Sequence, residues 1–138
     1  MGLCGHSRRC VATEPRPRQD RVRFVAPLAD HQLVQRMIAD IDTSLSAARL
    51  LCLRAGLLKD KGDPGTVNAT WAAKYFASCK AFSATADAVQ ILGARGCAPG
   101  HPAGRLLRDA KVMEIIEGSI QLQQTYLAQA AYQHSPLD

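Results

Sequence analysis

The sequence predicts an all-α fold, an antiparallel four-helix bundle, and two observations lead to it. Hydrophobic residues make up 47% of the chain but aromatic residues only 5%, and a composition rich in alanine and leucine favours helix packing over a sheet sandwich. Along the chain, apolar residues recur in steps of three and four, which is the repeat of a helix with one buried face. Because short turns join these segments, neighbouring helices are expected to run antiparallel.

Glycine- and proline-containing turns divide the chain into four predicted helices. Asp30 is a suitable N-cap for the first helix, Gly93 ends the second, and Pro102 suits the first turn of the third. The predicted helices cover residues 30–61, a stretch that starts at Thr66 or Asn68 and ends at 93, residues 102–115, and residues 118–133. Their predicted inward residues are Leu33, Val34, Met37, Ile38, Ile41, Leu45, Ala48, Leu51, Cys52, Ala55 and Leu58 in the first helix, Trp71, Tyr75, Cys79, Phe82, Ala86, Val89 and Leu92 in the second, and Leu122, Tyr126, Leu127 and Ala130 in the last.

The positive charge of the chain is concentrated at its start. Residues 1–23 have a net charge of +4 and residues 24–138 a net charge of +1. Residues 1–20 contain Pro15 and Pro17 and little apolar periodicity, so they are predicted to form a poorly ordered basic tail ahead of a helical domain at 21–138. A nucleic-acid binder carries its basic residues on a structured face, and this distribution therefore argues against a nucleic-acid partner.

The cysteines indicate a reduced, cytoplasmic setting. There are five of them at irregular spacing, which does not form a disulfide framework. Cys52 and Cys79 lie in apolar helical patterns and are predicted to be small core residues. No metal site is predicted, because the group Cys4, His6 and Cys10 supplies only three ligands at irregular spacing. No apolar run reaches the length of a membrane span, so no membrane partner is predicted.

The most specific pattern surrounds residue 117. The run Arg105-Leu-Leu-Arg-Asp-Ala-Lys-Val-Met-Glu-Ile-Ile-Glu-Gly-Ser-Ile-Gln121 resembles the signature near the C-terminus of acyl-CoA dehydrogenases, Arg-x-x-Arg-Asp-Ala-Lys followed by Glu-Gly-Thr/Ser-x-Gln. Two earlier runs agree with that family in order and approximate spacing: Arg21-Val-Arg-Phe24 with Pro27-Leu-Ala-Asp-His-Gln32, and Asp87-Ala-Val-Gln-Ile-Leu-Gly-Ala-Arg-Gly96. The resemblance implies the C-terminal helical domain of the family, without the N-terminal helical domain and the middle β-domain.

The resemblance implies a flavin-dependent oxidation in which Glu117 is the base. In the family, this carboxylate removes the α-proton of an acyl thioester while a β-hydride passes to FAD, and the backbone amide at Gly118 helps to polarise the thioester carbonyl. Such a base needs a pKa raised by a dry pocket, so Glu117 is expected to be buried, with its carboxylate directed at the substrate. The residue alone favours another interpretation, in which Glu117 is a solvated charge at a helix N-terminus, where the helix dipole stabilises an acid.

The resemblance also implies a set of FAD contacts. Arg21 and Phe24 match the Arg-x-x-Phe that reaches the FAD of a neighbouring subunit, and the next residue, usually Gly, is here Val25, which is expected to distort the turn. The other implied cofactor residues are Gln32, Gln90, Gly93, Ser119 and Gln121. Read from the residues alone, Gly93 is a helix C-cap, Ser119 an N-cap and Gln121 an exposed polar side chain.

Three functional hypotheses follow. The first is a domain of an FAD-dependent dehydrogenase acting on an acyl group carried by CoA or acyl carrier protein. Within the family, its motif residues resemble more closely the members found with polyketide extender-unit pathways. The second is a truncated, non-catalytic relic or assembly module of that family, which the missing domains, Pro15, Pro17 and Val25 favour. In both cases apolar bundle faces predict a homo-oligomer, either a dimer or a tetramer. The third, an adaptor bundle unrelated to flavin, leaves the three ordered motifs unexplained.

Overall fold

The computed structural model describes residues 21–134, and it is all-α apart from one very short hairpin. The predicted tail at 1–20 lies outside the described residues. The elements in chain order are β1 (Val22–Arg23), β2 (Ala26–Pro27), a 3-10 turn (Leu28–Asp30), α1 (Gln32–Asp60), α2 (Thr66–Leu92), α3 (Ala94–Cys97), α4 (Pro102–Met113) and α5 (Ile120–His134). β1 and β2 pair antiparallel, with Val22 opposite Pro27 and Arg23 opposite Ala26.

Helix α2 is the centre of the fold. It packs against α1, α4 and α5, and it also contacts the short helix α3. A tight turn joins α1 to α2, in which Gly62 has a φ of +65° and the Asp63 carboxylate accepts a hydrogen bond of 2.7 Å from the Gly65 amide. A connection this short makes α1 and α2 antiparallel neighbours, as the sequence predicted.

The buried face of α2 consists almost entirely of small side chains. It comprises Ala69, Ala73, Ala77, Ser78, Ala81, Ala84, Thr85, Ala88 and Leu92. Of the predicted inward stripe on this helix only Leu92 is fully buried, and the other members are half-buried beside the alanine face. Small side chains at an interface allow two helix backbones to approach closely, so packing selects the alanine face over the bulkier one beside it.

Large apolar side chains remain on the outside of the bundle. In α1 only Ile41, Leu45, Ala48 and Ala55 are buried, whereas the predicted core residues Leu33 and Ile38 are exposed, as is Cys52. In α5 the predicted inward residue Leu122 is exposed as well, whereas the Tyr126 ring, 36% exposed, stacks on Trp71 of α2 with ring centroids 4.4 Å apart. The apolar arc of each helix is wider than the face that α2 can cover, so part of that arc faces outward.

Local chemistry explains where the helices begin and end. α4 begins at Pro102, and the Nδ1 atom of His101 accepts a hydrogen bond from the Ala103 amide. Gly93, with a φ of +65°, ends α2 as predicted. α1 begins at Gln32, two residues later than predicted, because Asp30 belongs to a 3-10 turn and does not act as the cap.

Cys79 provides a test of this packing. Its side chain is half-buried on α2, and burial raises the pKa of its thiol, an effect that the charge of Glu114 reinforces. Because the thiolate is the reactive form, we expect iodoacetamide at pH 8 to modify Cys79 several times more slowly than the exposed Cys97. Peptide mapping by mass spectrometry over a time course measures both rates. In guanidinium the two rates should converge, and equal rates in the folded chain would contradict this account of Cys79.

Candidate active site

The candidate site is the connection between α4 and α5. Glu117 and Gly118 both have a left-handed backbone conformation, with φ values of +55° and +87°. For a residue other than glycine this conformation costs roughly 1–2 kcal/mol, and such strain clusters at functional sites. The reversal explains why α5 begins at Ile120 and not at residue 118, and a 3.0 Å hydrogen bond from the Ile120 amide to the Glu114 carbonyl closes the loop.

Glu117 lies on the surface of this loop. Its side chain is exposed, so the predicted burial is not found among the described residues. No other part of residues 21–134 covers the carboxylate. The expectation rested on a dry pocket, and the described residues do not enclose Glu117 in one.

A lysine and a glutamine that belong to none of the sequence motifs hold the loop. Lys74, on α2, donates hydrogen bonds from Nζ to the carbonyl oxygens of Met113 at 2.8 Å, Ile116 at 2.9 Å and Gly118 at 3.1 Å. Gln123, on α5, donates from Nε2 to the Gly118 carbonyl at 2.7 Å. A lysine inside the apolar run Trp71-Ala-Ala-Lys-Tyr-Phe-Ala77 was the available signal, because a charge among core positions needs partners.

Lys74 and Gln123 both carry polar groups in partly or fully buried surroundings. Burial lowers the pKa of Lys74, whereas the negative potentials of Cys79, Glu117 and Glu114 act in the opposite direction. Gln123 is only 3% exposed, and within the described part of the chain its buried Oε1 atom has no hydrogen-bond partner. The Lys74 ammonium and the unpaired Gln123 Oε1 atom therefore both lie next to the Glu117 loop.

The remaining predicted residues of this end lie on the first turn of α5. The Ser119 Oγ atom accepts a long hydrogen bond of 3.4 Å from the Leu122 amide, which is an N-cap arrangement. Gln121 is exposed. Nearby, the buried carboxylate of Glu114 pairs with Lys111 at 2.6 Å, so Glu117 is the exposed acid of this segment.

Arg21 and Gly93 meet at the other end of α2. The Arg21 guanidinium donates from Nη1 to the Leu92 carbonyl at 3.0 Å, and a Cβ on Gly93 would lie 4.0 Å from its Nη2 atom. A cation on the last carbonyl of a helix is favoured by the helix dipole. The sequence motifs therefore bring these two predicted residues together.

Phe24 and Gln90 share a groove next to this contact. Phe24 and Val25 form the tip of the hairpin, with φ values of +50° and +70°, so Val25 adopts the left-handed conformation that its branched side chain disfavours. Phe24 is 92% exposed. The groove has a volume of about 350 Å³ and is lined by Arg23, Phe24, Leu28, His31, Leu33, Val34, Met37, Gln90 and Ile91. Gln32 is exposed at the start of α1 and does not line it.

The two groups of predicted residues are far apart. Lys74, behind the Glu117 loop, and Gln90, in the groove, lie 16 residues apart on α2, which corresponds to about 24 Å of helix. Within residues 21–134, no three His, Cys, Asp or Glu side chains come together to hold a metal ion. None of the helices in this range is long and apolar enough to cross a membrane.

Comparison with known proteins identifies the domain. The family "Acyl-CoA dehydrogenase, C-terminal domain" matches residues 1–132, so the match includes the basic N-terminal segment. The chain is 41% identical over 110 residues to cyclohexane-1-carbonyl-CoA dehydrogenase of Geobacter metallireducens, which covers 80% of this chain and 29% of that enzyme.

Solved structures agree with this match. The fold superimposes on butyryl-CoA dehydrogenase from Megasphaera elsdenii with a TM-score of 0.86 and 32% identity, covering 94% of this chain and 34% of that one. It also superimposes on FkbI, described as acting in biosynthesis of the methoxymalonyl extender unit of the polyketide Fk520, with a TM-score of 0.81 and 36% identity, covering 97% of this chain and 35% of that one. The chain spans about a third of the length of these relatives, and it belongs to the acyl-CoA dehydrogenase family, corresponding to its C-terminal helical domain.

Proposed function

We propose that this chain is the C-terminal domain of an FAD-dependent dehydrogenase that introduces an α,β double bond into an acyl thioester. The observation that carries the proposal is the position of Glu117, which a strained and multiply bonded loop presents at the surface of a domain that belongs to this family. A structural carboxylate would not require a left-handed backbone. The strain is consistent with a side chain whose direction matters.

In this proposal Glu117 removes the α-proton of the thioester. A general base must first have the correct geometry and then a pKa near the operating pH. Because Glu117 is exposed here, the walls that dry its pocket would come from parts of the relatives outside the matched domain. The Gly118 amide, next in the chain, would donate a hydrogen bond to the thioester carbonyl. This bond would stabilise the negative charge that develops on the carbonyl oxygen and so make the α-proton more acidic.

The described residues fit FAD at both ends of α2. FAD supplies the acceptor for the β-hydride when it is bound. Ser119 and Gln121 lie on the first turn of α5, where helix amides favour anionic and polar groups. At the other end, Arg21, next to Gly93, offers a planar cation for a diphosphate, while Phe24 and Gln90 line an apolar groove. Gln32 would join this second group from the start of α1.

The distance between the two ends supports a homo-oligomer. Because about 24 Å of helix separates them, the two ends would contact different FAD molecules, one held by the chain itself and one by a second copy. The large apolar side chains on the outer faces of α1 and α5 would be covered in such an assembly. A dimer or tetramer would meet this requirement.

The substrate class is an acyl group on CoA or on an acyl carrier protein. The Geobacter and Megasphaera relatives are named for CoA thioesters, and the likeness to FkbI supports a role in polyketide biosynthesis. A cytoplasmic location would suit either carrier. No nucleic acid or membrane enters the proposal.

A non-catalytic assembly module is the second candidate. Two observations favour it: Val25 occupies a strained turn position without a contact that explains it, and Glu117 lacks a pocket within the described residues. Under this alternative the chain would self-associate without holding FAD. Cofactor binding therefore separates the two candidates.

We expect the chain to bind FAD, and we expect Phe24→Ala to weaken that binding about two- to tenfold, the effect of losing one aromatic ring contact. Fluorescence anisotropy of the flavin, measured against protein concentration, gives the affinity, and light scattering on the same samples gives the mass. Tyr132→Ala is the matched control, because Tyr132 is an exposed aromatic on α5. Absence of any anisotropy change at every concentration would favour the assembly module.

A further inference from the structure

Lys74, on α2, caps the C-terminal end of α4 and holds the loop that follows α4. The last carbonyls of a helix have no partner within the helix, and the Met113 carbonyl is the last of α4. The Lys74 ammonium donates to it and to the Ile116 carbonyl, three residues farther on. A cation is also favoured at this end of a helix by the helix dipole.

The third bond of Lys74 requires the chain to reverse. The Gly118 carbonyl turns back toward the same ammonium, at 3.1 Å, and this reversal uses the left-handed conformations of Glu117 and Gly118. An ammonium has three N–H donors, so the three carbonyls use all of them. The Gln123 amide is a second donor to the Gly118 carbonyl, at 2.7 Å.

We propose that Lys74 is a positioning residue for Glu117, holding the left-handed turn that directs the carboxylate by drawing three backbone carbonyls onto one ammonium. The inference rests on the proposed role of Glu117 as the base. Lys74 does not touch the reacting atoms in this proposal. Its effect on the reaction passes through the backbone of residues 116–118.

The geometry explains why a lysine suits this position. Three carbonyls converge on a single nitrogen, which a tetrahedral ammonium can satisfy, whereas the planar fork of arginine spreads its donors over separate atoms. Bonds to a charged donor are roughly twice as strong as neutral ones. Together they offset the cost of a left-handed glutamate.

The test measures the turn directly by NMR on the whole chain, without cofactor or substrate. A positive φ brings the amide and α-protons of one residue close together and gives a strong intraresidue NOE. Lys74→Met is expected to weaken this NOE at Glu117 and to accelerate amide exchange at Ile120, which closes the loop, about tenfold. Lys80→Met is the control, because Lys80 lies on the same helix, is exposed and places its ammonium over the Phe76 ring.

The outcomes are distinct. An unchanged NOE and unchanged Ile120 exchange in folded Lys74→Met would overturn the proposal. If that variant does not fold, NOEs between the Lys74 ε-protons and residues 116–118 are measured in the unmodified chain. The proposal requires these NOEs, and their absence overturns it. Glu117→Gln should keep the turn intact, so a failure of the base role appears as unchanged flavin reduction in Glu117→Gln, while a failure of the positioning role appears only in the Lys74 measurements.

Discussion

Replacing Glu117 by glutamine is expected to lower the rate of flavin reduction by an acyl thioester by about 10²- to 10⁴-fold, the usual contribution of a positioned general base. Glutamine keeps the size and hydrogen-bonding capacity of the side chain but cannot accept the α-proton. Stopped-flow bleaching of the flavin absorbance measures the rate. Because the relatives are about three times as long, the assay is made both on the chain with FAD and on the Geobacter enzyme carrying this chain in place of its matched segment.

Glu114→Gln is the matched control for that experiment. Glu114 belongs to the same loop, but its carboxylate is buried and paired with Lys111. Its replacement should reduce stability while leaving the bleaching rate within a few-fold of the parent. Bleaching at the parental rate in Glu117→Gln would exclude Glu117 as the base.

Replacing Leu92 by alanine is expected to destabilise the domain by about 2–5 kcal/mol. Leu92 is 2% exposed and is among the largest fully buried side chains of the described residues. It lies where three features meet: the end of α2, the Arg21 guanidinium on its carbonyl, and Gly96, on which a Cβ would approach the Leu92 Cβ to 2.8 Å. With alanines on much of the surrounding helix face, few side chains are long enough to fill the cavity.

Leu50→Ala is the comparison for Leu92→Ala. Leu50 is 67% exposed on α1, and surface substitutions usually stay within about 0.5 kcal/mol. Urea unfolding followed by circular dichroism gives both free energies, and dilution to a single oligomeric state keeps association out of the comparison. Equal losses in the two variants would show that the exposed apolar faces, and not the interior, hold the fold.

The fold was largely predictable because its main determinants are local. Periodicity located all four long helices, and Pro102 and Gly93 marked boundaries that the structure confirms. Periodicity could not select the buried face of α2, since alanines and large residues alternate around that helix. The choice depends on how closely α1 approaches, which is a property of the packed pair and not of either sequence segment.

The candidate site was only partly predictable from the motifs. They led to Glu117, Gly118, Arg21 and Gly93. They did not lead to the bond between Arg21 and the Leu92 carbonyl beside Gly93, nor to the exposure of Glu117, which depends on what lies beyond the domain. Lys74 was missed because its partners are backbone carbonyls 39 to 44 residues away. Main-chain oxygens leave no side-chain pattern in a sequence, so such a contact becomes visible only in three dimensions.

The alanine face of α2 has an evolutionary consequence. A column of methyl groups has almost no smaller apolar substitute, and a larger one forces two long helices apart at a cost of about 1–3 kcal/mol. Accepted replacements there should be restricted to the smallest side chains, while the outward leucines are free to vary with whatever they meet. Sequence divergence within this lineage would thus be greatest on the outer surface of α1 and slowest on the buried alanine face of α2.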